Sequence, residues 1–85
     1  MKKKYVRVIA HFCLEGKLTP LEIIWEDDRR FEITHVGSIQ RAASSVGGTG
    51  YRYEITVDNK KRYLYLEDVK LDKTIGARWF LEVSD

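Results

Sequence analysis

Tyr51-Arg52-Tyr53-Glu54-Ile55-Thr56-Val57-Asp58 alternates apolar and polar side chains without a break. Successive side chains of a β-strand point to opposite faces, so Tyr53, Ile55 and Val57 share a dry side while Arg52, Glu54 and Thr56 face water. No other stretch of the chain holds a helical apolar period for three turns. The pattern predicts an all-β domain in which an antiparallel sheet closes over one core.

Working outward from this strand, Asp58-Asn59-Lys60 supplies the residues of a tight turn, and Lys61 to Leu66 reads as its returning partner. Upstream, Lys4 to Phe12 alternates with Val6, Val8, Ala10 and Phe12 on one side. Gly16 offers positive φ to the turn that follows, and Pro20 is expected at the start of the next strand, where a missing N–H costs little. A second hairpin is expected around Asp27-Asp28, with Trp25 near Phe31 and a returning strand from Arg30 to Val36. Ser38 to Ser45 reads as a bent strand end, and Val46 to Gly50 as a glycine-rich loop. Asp72 to Ala77 reads as an exposed excursion before Arg78 to Val83 closes the sheet. About six strands on one domain, residues 1–85, point to a small antiparallel barrel or strongly curled sheet, SH3-like or similar, because closure removes exposed edges. Its expected core is Val6, Val8, Ala10, Phe12, Ile23, Trp25, Phe31, Ile33, Tyr53, Ile55, Val57, Leu64, Leu66, Leu81 and Val83.

Composition narrows the class of function. Hydrophobic residues form 44% of the 85 and charged residues 33%, an ordinary globular balance that argues against disorder. Fifteen basic against thirteen acidic residues leave a net charge of +2, far below that of a dedicated nucleic-acid binder. The charges are nonetheless segregated: Lys2, Lys3, Lys4, Arg7, Lys60, Lys61 and Arg62 are basic clusters, and Glu22, Glu26, Asp27, Asp28 and Glu32 make the second quarter acidic. The lone Cys13 has no disulfide partner, and no apolar run approaches the roughly 20 residues of a membrane span. Arg7 interrupts the apolar stretch that a signal peptide would need, so a cytoplasmic location without membrane partners is expected.

The hairpin Pro20 to Ile33 resembles one in a family of short, β-rich proteins of Gram-positive bacteria with no assigned function. Arg41-Ala42-Ala43-Ser44, the glycine loop, Tyr51-Arg52-Tyr53, Tyr63-Leu64-Tyr65-Leu66-Glu67 and Arg78-Trp79-Phe80 extend the likeness over nearly the whole chain. The resemblance implies a small bacterial β domain and assigns no catalytic residue. The segment Val69 to Ala77 departs from the family pattern by its length.

Signatures of chemistry are weak. Gly47-Gly48-Thr49-Gly50 lacks the following helix or Lys-Ser/Thr pair of nucleotide-binding loops, and a strand-forming Tyr-Arg-Tyr comes next. His11, Cys13 and His35 could ligate a metal, but neither Cys-x-x-Cys nor a spaced His pair is present. Ser44 or Ser45 with His35 and Asp27 or Asp28 could be written as a triad, yet no nucleophile elbow surrounds either serine. No catalytic, cofactor or metal site is therefore expected. The informative set is aromatic and basic: Tyr63 and Tyr65 are expected on the wet face near Arg52 and Arg62. With Arg7 and Lys61 they form a candidate binding face. Such a surface suits a non-enzymatic binding or adaptor domain for a protein partner or for self-association, with a free sheet edge open to strand pairing. The alternative is a small barrel that binds single-stranded nucleic acid on the same residues, bases stacking on rings and cations following phosphates.

Overall fold

Asp58 and Asn59 both adopt left-handed backbone, with φ of 51° and 60°, and turn the chain within two residues so that Val57 pairs with Lys60. A two-residue turn of this kind matches the twist of its flanking strands, and Asp and Asn are the side chains that tolerate it after glycine. The computed structural model describes residues 1–43, 49–71 and 74–84, and its strands are β1 (Lys2–Phe12), β2 (Leu18–Ile24), β3 (Arg30–Glu32), β4 (His35–Ala43), β5 (Thr49–Val57), β6 (Lys60–Leu71) and β7 (Thr74–Val83). All neighbours are antiparallel, in the order β3-β2-β1-β7-β6-β5-β4. No helix among the described residues is long and apolar enough to cross a membrane.

The sheet is strongly curled, and its strand order explains why. β3 and β4 are its two edges, yet only Ile33 and Thr34 lie between them. Three peptide steps reach about 11 Å, whereas a flat sheet of this many strands would be about 29 Å wide. The edges can be joined only if the sheet bends round into a half-barrel. At the junction the Ile33 N–H donates to Leu21 O and the Thr34 N–H donates to Thr56 O, so the chain leaves β2 and joins β5 within one residue. A second corner lies in β1, whose residues Lys2 to Val6 pair with β7 and whose residues Arg7 to Phe12 pair with β2.

This geometry corrects the expected strand count from six to seven. Arg30 to Val36 is not one strand but the whole of β3, a corner and the start of β4, and Ser38 to Ala43 continues β4. The expected excursion is also a correction: Thr74 to Ala77 is strand, because Asp68, Val69, Lys70 and Leu71 extend β6 to pair with it. Pro20 lies inside β2 rather than at its start, opposite Ala10 where the ladder shifts register, a place where no N–H is needed. Gly16 has the expected positive φ of 93°. Gly50 pairs with Glu67 so closely that a Cβ there would come within 1.9 Å of Leu66 O, which only glycine avoids. Of the expected loop from Val46 to Gly50, Thr49 and Gly50 are instead the first residues of β5, whereas Val46 to Gly48, with Ser44 and Ser45 before them, lie outside the described residues.

Ile23, Ile33, Tyr53, Ile55, Val57 and Leu64 form the buried cluster on the inner face, with Val6, Val8, Phe31, Val36, Leu66, Trp79 and Leu81 packed against it. Most of the expected core is therefore in place. Phe12 is the clearest exception, 70% exposed although it shares the parity of Val6 and Val8. Ala10 is also exposed, while Trp25 and Val83 are half-buried. Beyond Val6 strand β1 has lost β7 as a neighbour, so the inner side of its last residues reaches the open end of the half-barrel.

Candidate functional site

The pairing of β5 with β6 sets Arg52 opposite Tyr65 and Glu54 opposite Tyr63. The Arg52 guanidinium stands 4.4 Å from the centre of the Tyr63 ring and donates to Gln40 Oε1 at 3.0 Å, so that ring face is already covered. Tyr65 is not on a wet surface as expected: it is only 6% exposed. Its ring stacks on Phe80 at 4.9 Å, and its hydroxyl donates to Glu82 Oε1 at 2.9 Å. Burial, followed by that hydrogen bond to Glu82, raises the Tyr65 phenol above its ordinary pKa.

Phe80 also meets Tyr5 edge-on at 5.8 Å. Beside them Glu67, 9% exposed, accepts hydrogen bonds from Lys3 Nζ, from Tyr5 Oη at 2.9 Å and from Arg78 at 3.1 Å. The Lys3 hydrogen bond, then those of Tyr5 and Arg78, hold the Glu67 carboxyl below the usual carboxylate range against the opposing effect of burial. Glu67 in turn raises Lys3. The outer face of β1, β7 and β6 is thus a second, partly aromatic core with a satisfied carboxylate inside it.

At the end of the half-barrel where β5 turns into β6 there is an open cleft with a volume of about 470 Å³. Ile23 and Val57, both buried, and Trp25, Phe31 and Leu81, half-buried, form its apolar wall. Arg29, Lys60, Lys61 and Arg62 are exposed around it, with Asp58, Glu82 and Met1 also lining it. The turn from Trp25 to Arg29 positions one side. The Trp25 N–H donates to Arg29 O and the Asp28 N–H donates to Trp25 O, Asp28 taking a positive φ of 67° where a glycine would be easier. Asp27 braces that turn, accepting from the Arg29 N–H at 3.1 Å and from Arg29 Nε at 2.6 Å, and these bonds hold its carboxyl below its ordinary pKa.

No protein-family model, curated protein or solved structure matches the chain. The chemistry of the cleft has to be read from its own side chains.

Of the six residues expected to form one binding face, the cleft gathers Lys61, Arg62, Tyr63 and Tyr65. Arg52 lies over Tyr63, and Arg7 is drawn instead into an ion pair with Asp28. Arg62 shares the inner parity of Leu64 rather than the outer parity of the tyrosines, because strand alternation separates Arg62 from Tyr63. Sequence reasoning missed Arg29 and Lys60, which look like ordinary turn residues, and assigned Trp25, Phe31 and Leu81 to a closed core. The one available signal was Lys60 and Arg62 themselves, cations at the positions where the Leu64 and Leu66 parity calls for apolar side chains. Among the described residues no group of three or more His, Cys, Asp and Glu is arranged to hold a metal ion. The serines of the written triad lie outside the described residues.

Proposed function

We propose that this protein is a non-enzymatic binding domain whose ligand is a protein partner, received in the cleft between the β2–β3 turn and the β5–β6 turn. The observation that carries the reading is the cleft itself: a concavity of about 470 Å³ with an aromatic and aliphatic wall and exposed cations around it. Recognition sites in proteins combine an apolar concavity with a few polar groups that fix orientation, and aromatic and arginine side chains are the ones enriched at interface centres. An apolar side chain of a partner can enter the wall region while the surrounding cations select its neighbours.

The nucleic-acid reading on Arg7, Arg52, Lys61, Arg62, Tyr63 and Tyr65 is less well supported. Bases need an open ring face to stack on. Arg52 covers Tyr63 and Phe80 covers Tyr65. Arg7 and Arg52 are also engaged by Asp28 and Gln40. A bacterial cytoplasmic location belongs to the same proposal, since the single Cys13 thiol is compatible with a reducing compartment. Finding the protein in the secreted fraction of its host would contradict that part.

The test is an array of short peptides of unbiased composition probed with the wild type and with Phe31→Ala and Leu81→Ala, whose folding is checked by thermal melting. A subset of peptides is expected to bind the wild type and to lose at least about tenfold in affinity with either variant. Peptide binding that both variants leave unchanged would remove the cleft from the account.

A further inference from the structure

The inner parity of β6 runs Lys60, Arg62, Leu64, Leu66 toward the far end of the strand. Leu64 is wholly buried in the core, whereas the two positions before it on the same face carry cations. Opposite them stand Val57 and Ile55, both buried. Among the described residues neither Lys60 nor Arg62 has an ion-pair partner, although Asp58 and Glu82 line the same cleft. The other cations are engaged: Arg29 pairs with Asp27 at 2.6 Å, and Lys61 approaches Glu54 at 3.7 Å on the outer parity. Lys60 and Arg62 are exposed at the mouth of the cleft and uncommitted, so both are available for charge-assisted hydrogen bonds to an anionic ligand.

We infer that the segment received by the cleft is acidic and carries a bulky apolar side chain, with Lys60 and Arg62 binding carboxylates on either side of that anchor. The inference rests on the reading of the cleft as a protein-binding site and adds the chemistry of the partner. With Arg29 paired to Asp27 and Lys61 near Glu54, Lys60 and Arg62 are the lining cations left uncommitted, and the Glu82 carboxylate already accepts from the Tyr65 hydroxyl, so the cleft offers these two positions to carboxylates of a partner. The anchor follows from the wall: Trp25, Phe31, Val57 and Leu81 offer no hydrogen-bonding side chain except the Trp25 indole, so they favour an apolar group over a polar one. Charge sets the choice of partner, and the anchor supplies most of the affinity.

Fluorescence anisotropy with labelled short peptides tests this directly. The probes share a central phenylalanine and are flanked on both sides by glutamate, glutamine or lysine; a fourth has alanine between the glutamates. The glutamate-flanked phenylalanine peptide is expected to bind about tenfold tighter than the glutamine version, with the lysine version and the alanine version weaker still. In the double variant Lys60→Glu/Arg62→Glu, at two exposed positions and with folding checked by thermal melting, the order of glutamate and lysine peptides is expected to invert. Equal binding of glutamate and glutamine peptides, lost in Phe31→Ala, would overturn the acidic preference and leave the protein-binding reading standing. Failure of every phenylalanine peptide, together with no hit on the unbiased array, would remove both. Tighter, salt-sensitive binding of single-stranded oligonucleotides that Lys60→Glu/Arg62→Glu abolishes would overturn the inference in favour of nucleic acid.

Discussion

The inner and outer faces of strands β1, β7, β6 and β5 are both dry in places, and they become dry by different means. Inside, Ile55, Leu64, Val57 and Ile23 pack against one another because the curl of the sheet brings distant strands over them. Outside, the described residues form no second layer. Dryness comes from side chains lying flat along the sheet: Tyr65 on Phe80, Tyr5 against Phe80, Arg78 4.2 Å over Tyr5 and Lys3 4.9 Å over Phe80. A two-residue period tells which side chains share a face. It does not tell whether that face is wet, because long aromatic and basic side chains can cover a surface with their own stems.

Removing Phe80 is the strongest way to break this comparison. The ring is 2% exposed, so Phe80→Ala is expected to cost about 3 to 5 kcal/mol in urea denaturation. A loss below about 1 kcal/mol would mean the outer face is an ordinary wet surface. Ile55→Ala on the inner face is expected to cost about 2 to 5 kcal/mol, and a urea midpoint equal to the wild type would refute the core assignment. The next effect is smaller and depends on pH. Glu67→Gln is expected to cost about 2 kcal/mol at neutral pH, since it weakens the hydrogen bonds from Lys3, Tyr5 and Arg78.

Because the folded Glu67 carboxyl titrates below its unfolded value, its stabilisation is complete above the unfolded pKa of about 4.3 and is lost as pH falls through the folded value. Lys3 is raised, so its share is present below about 10.4 and is lost as pH rises through its folded value. The wild type should therefore lose stability at both extremes, with a smaller acid loss in Glu67→Gln. Identical acid limbs in the two proteins would contradict the role given to this carboxylate. The least effect is expected from Tyr63→Ala, about 0.5 to 1 kcal/mol, since its pairing with Arg52 is at an exposed site.

Much of the fold was legible because the turns announce themselves. Gly16 and the pair Asp58 and Asn59 take positive φ as their residue types foretell, and they fix two hairpins. The corner at Ile33 was also written in the pattern, as a slip of apolar parity from Phe31 and Ile33 to Val36, but a slip looks the same whether the strand bulges or changes partner. Only the long-range bonds of Ile33 to Leu21 and Thr34 to Thr56 distinguish the two. Tyr65 was misplaced because its dryness comes from Phe80 on another strand, a neighbour that no local pattern reveals. The cleft was half legible. Lys61, Arg62, Tyr63 and Tyr65 belong to one hairpin and were found together, whereas Arg29, Trp25 and Phe31 reach the same place only through the curl of the sheet.

The cleft as the place where a partner is received is the central claim about this protein. The direct measurement is a backbone amide NMR titration of the labelled protein with the glutamate-flanked phenylalanine peptide. The expected result is saturable shifts at Trp25 to Phe31, Val57 to Tyr63 and Leu81 to Val83, with the β4 edge from His35 to Gln40 unmoved. Shifts confined to that edge, or none at all at saturating peptide, would contradict it.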